Sequence, residues 1–185
     1  MPKGLLTEVA MPGAFTIVKQ KVVLRSRVFE VLHENWRGPD GRAFERDTLI
    51  HPGAVAILPF DSQGRLLLLR QFRPAARAWL LEIPAGTLEK GEPPLACAKR
   101  ELIEETGFAA RRWRKLGAIR NAPGYSSEVI HLYKAWGLTP ASGVQDADEH
   151  IKLAVMSRPA VRRAVRRGRL CDAKTLCALL YVGVM

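Results

Sequence analysis

The chain has 185 residues, which at about 150 residues per domain indicates roughly one domain. Hydrophobic residues make up 48% and charged residues 25%, a balance typical of globular proteins that excludes a largely disordered chain. Lysine and arginine number 29 against 18 acidic residues, so the net charge is +11. This charge favours polyanionic partners, namely nucleic acid, anionic lipid or phosphorylated small molecules.

The chain shows no sign of disulfide bonds or of a membrane span. Its cysteines, Cys97, Cys171 and Cys177, form no CxxC pair, and their odd number argues against a disulfide framework. The N-terminal segment lacks the sustained apolar run of a secretory signal, and the longest apolar run, 176–185, is shorter than the ~20 residues that span a bilayer. We therefore expect a cytoplasmic protein with reduced thiols and no membrane partner.

Strand patterns dominate the first part of the chain. Residues 15–50 are rich in Val, Ile, Phe and Leu, and the turn signal at 38–41 divides them into two or three strands. We expect residues 1–50 to form a small β subdomain, and residues 51–185 to form the main domain. Two apolar strands are predicted next, around a hairpin turn: residues 54–60 and 65–72.

The rest of the chain combines helices and strands. A helix is predicted to begin at Pro93 and Pro94, which suit a first turn, and to end at the left-handed cap Gly107. Three strands are predicted after it: residues 116–120, 129–136 and 151–156. Two helices follow, with Ser157 and Asp172 as N-caps. The order predicts an α/β (α+β) domain with helices packed on a mixed sheet.

The helix before Gly107 carries a cluster of acids. Glu101 and Glu105 lie one turn apart, and Glu104 lies beside them. Such like-charged pairs cost about 0.3 kcal/mol each in an exposed helix, so the cluster does not stabilise the helix. Hard oxygen ligands suit Mg²⁺ or Mn²⁺ rather than Zn²⁺, and Mg²⁺ commonly binds carboxylates together with substrate phosphates. The cluster therefore indicates a phosphate-ester site, the alternative being a solvated acidic face. Cys97, a soft thiol one turn earlier, is interpreted as a packing residue.

The spacing around these acids resembles the Nudix box, G-x5-E-x7-R-E-U-x-E-E-x-G-U, where U is bulky and apolar. The matching residues are Gly86, Glu92, Arg100, Glu101, Leu102, Glu104, Glu105, Gly107 and Phe108. Seven fixed identities at about one in 20 each correspond to roughly one chance in 10⁹ per starting position. The chain therefore resembles the Nudix hydrolases, which cleave nucleoside diphosphates linked to another group.

The resemblance implies a fold and a set of roles. The fold is an α/β/α sandwich with a mixed sheet, and the box forms a loop–helix–loop that carries divalent cations. The implied metal ligands are the Ala85 carbonyl, Glu101 and Glu105, with Glu104 as a further ligand or as the catalytic base. The implied structural residues of the box are Gly86, Glu92, Arg100 and Gly107, among which Glu92 and Arg100 form the bracing pair.

Other segments resemble the ADP-ribose pyrophosphatase subgroup. Pro123 comes 16 positions after Gly107 and begins a P-G-[F/Y]-[S/T]-x-E loop, and residues 70–74 and 81–86 are also similar to that subgroup. The substrate contacts implied by this resemblance are Arg73, on phosphates or terminal ribose, Glu82, Gly124 and Glu128, of which the two acids hold substrate or metal. For Arg73 the alternative is a surface arginine at a strand end.

Adenine recognition requires an aromatic face. Trp36 is the candidate, because dimers of the subgroup swap their N-terminal strands and lend aromatic residues to the partner's site. Trp79 and Tyr125 are the alternatives, and each of the three could instead be a core or turn aromatic residue.

Subgroup members often place an acidic base or an extra metal ligand before the last strand. Glu149 is the best match here, but Ala147 stands where some relatives have a second glutamate. The base is therefore left open among Glu149, Asp146, Asp148 and Glu104.

A basic helix follows. Its arginines lie opposite Val161 and Val165: Arg162, Arg163, Arg166 and Arg167. This arrangement is typical of a solvated helix face, and contact with RNA or another polyanion is the alternative.

These observations lead to one principal hypothesis. The protein is expected to be a homodimeric, Mg²⁺-dependent hydrolase (Mn²⁺ being the alternative ion) that splits ADP-ribose into AMP and ribose 5-phosphate. Alternatives in the same class are another nucleoside diphosphate sugar such as GDP-mannose, a dinucleotide, or an RNA 5′ end. An alternative from a different class is a non-catalytic ADP-ribose-binding regulator, although such proteins typically lose box glutamates and this chain retains them.

Overall fold

The computed structural model describes residues 13–143 and 150–185, which form two β-sheets and three α-helices. The smaller sheet is antiparallel and consists of β1 (Thr16–Arg25), β2 (Glu30–Arg37) and β3 (Ala43–Ile50), in that order. The turn between β2 and β3 lies at the predicted position, and Gly41 there has a φ of 81° that favours glycine. Strands before residue 50 are thus confirmed, and the separate subdomain 1–50 stays a prediction.

The larger sheet has seven strands. They are β4 (Ala54–Phe60), β5 (Leu66–Arg73), β6 (Ala78–Glu82), β7 (Ala85–Thr87), β8 (Phe108–Arg120), β9 (Val129–Pro140) and β10 (Ile151–Met156). The main order is β10-β5-β4-β9-β8, with β6 paired to β5 and β7 paired to β4. Since β4 and β9 are parallel and their other partners are antiparallel, the sheet is mixed, as predicted.

The helices cover both faces of this sheet. They are α1 (Pro94–Thr106), α2 (Arg158–Arg166) and α3 (Ala173–Tyr181). In the central strand β4, Val55 and Ile57 pack with α1 on one face, whereas Ala56 and Leu58 pack with α2 and α3 on the other. A strand covered on both faces needs a continuous apolar run. The α/β/α sandwich is therefore confirmed.

The predicted helix ends are also confirmed. Helix α1 starts after Pro93 and stops at Gly107, whose φ of 72° and N–H bond to the Ile103 carbonyl (2.8 Å) form a left-handed cap. The Ser157 side chain accepts a hydrogen bond from the α2 backbone, and the Asp172 side chain does the same for α3. Among the described residues, no helix is both long and apolar enough to cross a membrane.

Several strand boundaries were predicted wrongly. Strand β8 starts at Phe108 instead of residue 116, and β9 extends to Pro140 instead of 136. Residues 111–115 are mostly cationic, a composition typical of loops, but an edge strand tolerates charges because they point into solvent. The short strands β6 and β7 were not predicted, since Pro84 separates them and neither is long enough to show a clear strand pattern.

Candidate active site

Packing on the sheet fixes the rotation of α1. Cys97, Ala98 and Leu102 are fully buried against β4 and β9, so the flank carrying Glu101 and Glu104 faces a cavity of about 730 Å³. We call this the carboxylate cavity. The packing interpretation of Cys97 is confirmed, and burial raises the pKa of its thiol to about 12.

Arg100 connects the acids of the box. It forms a bidentate pair with Glu92, at 3.1 Å from Nε to Oε1 and 3.0 Å from Nη2 to Oε2. Its Nη1 donates to Glu101 Oε1 (2.7 Å) and to Glu104 Oε2 (3.0 Å). The hydrogen bonds from Arg100 lower the pKa of Glu92 to about 2, and Glu92 raises the pKa of Arg100 above its ordinary value. Glu92 and Arg100, predicted as the bracing pair, are thus in direct contact.

Strand β7 brings its backbone against the same helix. The Ala85 N–H donates to Glu105 Oε2 at 2.8 Å, so Glu105 is tied to the residue whose carbonyl is the expected ligand. Gly86 lies against Glu101, and a Cβ on Gly86 would lie 1.9 Å from the Glu101 carboxylate carbon. Any side chain at 86 would therefore displace this carboxylate, which explains the glycine.

The potential metal ligands around this cavity are carboxylate and carbonyl oxygens, the ligand type that hard divalent cations prefer. Among the described residues, no group of three His, Cys, Asp or Glu side chains is already arranged to hold a metal ion. Arg100 instead donates hydrogen bonds to one oxygen of Glu101 and one oxygen of Glu104. The loop residues considered for the base, Glu149, Asp146 and Asp148, lie outside the described residues.

A chain of charges borders the cavity. The Arg73 guanidinium donates to both Glu82 oxygens, from Nε at 2.9 Å and from Nη2 at 2.7 Å. Lys174 Nζ donates to Glu82 Oε2 and to Asp172 Oδ1. Burial alone would raise the pKa of Glu82, but Arg73 and Lys174 bring it below the ordinary value, and the bonds to Glu82 raise the pKa of Arg73. Arg73, predicted to contact substrate, therefore reaches the cavity as part of an ion-pair network.

A smaller hollow of about 260 Å³ adjoins the carboxylate cavity, and we call it the lysine hollow. It shares Arg73 and β7 with the cavity, and Glu128 and Lys174 also line it. The Glu128 carboxylate lies 3.8 Å from His51 Nδ1. Two of the predicted substrate residues, Arg73 and Glu128, thus line the same hollow, whereas the third, Glu82, is bonded to Arg73 but is only 1% exposed and does not line it.

The other predicted substrate residues, Trp36 and Gly124, line a third depression of about 410 Å³. Its aromatic residues are Phe15, Trp36, Phe44 and Tyr125, and we call it the aromatic hollow. Trp36 stacks on Phe44 with centroids 6.3 Å apart and planes 7° apart. The 123–128 loop is held beside β3 by backbone bonds with Leu49, of 2.8 and 2.9 Å. Trp79 lies elsewhere, edge-on to Phe72.

Sequence reasoning did not name several cations and one acid of this region. Arg27 and Lys90 line the carboxylate cavity, and Lys174 lines the lysine hollow together with Asp172, which was predicted only as a helix cap. Nothing in the sequence around Arg27 or Lys90 separates them from other surface cations. For Lys174 a signal existed, because the polar residues Asp172, Lys174 and Thr175 stand at the start of an otherwise apolar helix.

Comparisons with known proteins agree with this geometry. A model of the NUDIX domain matches residues 50–178. The ADP-ribose pyrophosphatase of Bacillus subtilis is 34% identical over 90% of this chain and 91% of its own length. A methanol dehydrogenase activator of Bacillus methanolicus is 33% identical over 89% of this chain and 90% of its own. The solved structure of an ADP compounds hydrolase superposes with a TM-score of 0.82 and 26% identity, covering 91% of this chain and 92% of that one.

Proposed function

The chain belongs to the Nudix family, and from this premise we propose that it is a hydrolase of the ADP-ribose pyrophosphatase type that splits ADP-ribose into AMP and ribose 5-phosphate. One observation supports this most: the box acids Glu101 and Glu104 face one cavity, bordered by Arg73, in a chain similar to an ADP-ribose pyrophosphatase over nine-tenths of its length. Cations beside an acid cluster suit a pyrophosphate that binds together with metal ions.

We propose Mg²⁺, with Mn²⁺ as the alternative, as the ion of this site. Glu101, Glu105 and the Ala85 carbonyl would hold it, with Glu104 as a further ligand or as the base. The ion would supply charge neutralisation of the pyrophosphate and polarisation of the attacked phosphorus.

The protein's own residues would orient the substrate, accept the proton of the attacking water and bind the adenine. Arg73, held by Glu82, would orient the phosphates, because a guanidinium in a fixed position binds phosphate oxygens directionally. Glu104 or Glu149 would take the proton of the attacking water. Trp36 would stack on adenine in the aromatic hollow, with Gly124 leaving room at its rim. Catalysis would then be mainly electrostatic and positional.

A homodimer is part of the proposal. Strand β1 lies at the edge of the smaller sheet, and its ten residues are all exposed, including the apolar Ile17, Val18, Val22, Val23 and Leu24. An exposed apolar edge strand pairs readily with another chain. A second copy would cover it and bring its aromatic residues near the site. Sedimentation equilibrium tests this: a dimer is expected, and a monomer at all concentrations would contradict it.

The experiment for the activity is phosphate release in a coupled phosphatase assay with Mg²⁺. The panel contains ADP-ribose, GDP-mannose, UDP-glucose, NADH, diadenosine polyphosphates and triphosphorylated RNA. We expect ADP-ribose to have the highest kcat/KM. A higher kcat/KM for another compound would keep the assignment as a hydrolase but would show that ADP-ribose is not the preferred substrate.

A regulator is the second candidate function, favoured by the similarity to a methanol dehydrogenase activator. Retention of every box glutamate argues for turnover instead. Calorimetric binding of ADP-ribose without hydrolysis of any panel compound would favour the regulator.

A further inference from the structure

We propose that Lys174 is a positioning residue that fixes Arg73 in the cavity by sharing the Glu82 carboxylate with it. This inference rests on the proposed function, in which Arg73 orients the substrate's phosphates. Lys174 is distant from the Nudix box in the sequence and belongs to α3, on the opposite face of the sheet from α1.

The shared carboxylate is the first argument. Glu82 is 1% exposed, and each of its oxygens accepts from Arg73, while Oε2 also accepts from Lys174. A buried carboxylate with two cationic partners cannot turn without breaking an ion pair in a medium where ions are poorly solvated. The guanidinium bonded to both of its oxygens is therefore confined as well.

The attachment of Lys174 itself is the second argument. Its side chain is only 12% exposed, and its Nζ bonds to Asp172 Oδ1 (2.9 Å) as well as to Glu82. Asp172 Oδ2 accepts from the Thr175 N–H at 3.0 Å, and Thr175 Oγ1 accepts from the Ile83 N–H at 2.9 Å. The start of α3 is thus bonded to the residue that follows Glu82, so Lys174 and Glu82 keep a fixed relation.

Charge balance is the third argument. Arg73, Glu82, Lys174 and Asp172 alternate in sign and sum to zero, so removing Lys174 leaves two carboxylates for one cation. Glu82 would then be held by Arg73 without the second cation and could turn, and the guanidinium bonded to both of its oxygens would turn with it. The consequence would appear in substrate binding, because Lys174 lies on α3 whereas the proposed metal ligands lie on α1 and β7.

The test compares Lys174→Met with Lys174→Arg, which keeps the cation, and with Lys115→Met, which removes a lysine from the exposed part of β8. For Lys174→Met we expect the KM for ADP-ribose to rise about tenfold because Arg73 is misplaced. The kcat and the Mg²⁺ concentration for half-maximal rate should stay near wild type, and Lys174→Arg should restore KM. In an Arg73→Ala background, Lys174→Met should add less than about twofold, because the two residues act as one unit. An unchanged KM, or full additivity, would overturn the inference.

A second readout does not depend on turnover. The Arg73 Nε–H resonance, assigned by comparison with Arg73→Lys, should exchange with solvent at least about tenfold faster in Lys174→Met than in wild type or Lys115→Met, since exchange follows local opening. An unchanged exchange rate would overturn the positioning role. This test remains valid even if the wild type cleaves no compound of the panel, because absence of cleavage would contradict only the proposed function. If Lys174→Met fails to fold, Asp172→Asn serves instead. Asparagine caps a helix as well as aspartate does, but it has no negative charge to hold Lys174. We therefore expect the exchange rate of the Arg73 Nε–H to increase by less than the value expected for Lys174→Met. No increase would overturn the inference.

Discussion

Charged side chains that hold one another line the carboxylate cavity, whereas aromatic side chains open to solvent line the aromatic hollow. In the cavity, Arg100 bonds to three glutamates, and Gly86 leaves just enough space for one of them. In the hollow, Tyr125 is 64% exposed and Phe15 is 48% exposed. The side chains of the first region are therefore held in place by their charged neighbours, and the second region offers a surface that a base or a second chain can cover.

The largest effect should come from Glu105→Gln, which keeps the shape of the side chain and removes its charge. We expect kcat to fall by at least about 10³-fold, the scale on which loss of an electrostatic group acts. Steady-state kinetics measures this, and the melting temperature verifies the fold. Glu30→Gln, which breaks an exposed ion pair with Arg25, is the matched control and should keep full activity. Near-normal turnover of Glu105→Gln would remove Glu105 from the metal site.

A pair of glycine substitutions compares the two regions directly. Gly86→Ala should lower kcat by about 10²-fold, because the new methyl displaces the Glu101 carboxylate and small displacements of catalytic groups act on this scale. Gly124→Ala, at the rim of the aromatic hollow, meets nothing within 4 Å and should leave kcat unchanged. Equal kcat values for the two variants would mean that the close packing at Gly86 has no part in turnover.

Removing the Glu92–Arg100 ion pair should lower the free energy of unfolding by an amount that depends on pH. The pKa of Glu92 is lowered from 4.5 to about 2 by Arg100, so this pair stabilises the fold above the ordinary pKa, and the contribution is lost as the pH falls towards 2. Glu92→Gln should therefore lower the free energy of unfolding by about 2 kcal/mol at neutral pH. Urea unfolding at several pH values should show the difference from wild type narrowing below about pH 4. A difference that grows on acidification would contradict this assignment.

The smallest effect is expected in the aromatic hollow. Trp36→Ala should raise the KM for ADP-ribose by up to about tenfold, the worth of one aromatic stack, with kcat unchanged. Trp36→Phe retains a ring that can stack, so its KM for ADP-ribose should lie between those of the wild type and Trp36→Ala. Trp79→Ala is the control, because Trp79 is a tryptophan outside this hollow and is more exposed than Trp36. If Trp79→Ala raised KM and Trp36→Ala did not, the base would bind at Trp79.

The same contrast explains what could be predicted from the sequence. The acids of the box lie on one helix and on the loop just before it, so local spacing predicted them and both ends of α1. The aromatic hollow and the Lys174 network join residues far apart in the chain, from β2 and β3 to the 123–128 loop and from β5 to α3, and no local pattern reports such contacts. The cationic part of β8, residues 111–115, was missed for a related reason, because its edge position is a property of the sheet and not of the segment.

The most direct test of the central claim is hydrolysis of ADP-ribose as a function of free Mg²⁺, starting from protein stripped of divalent ions by a chelator. We predict no turnover without the ion, saturable recovery on adding Mg²⁺, and no recovery in Glu105→Gln at the concentration that saturates wild type. Full turnover in the presence of chelator would contradict a carboxylate-held cation as the basis of the reaction.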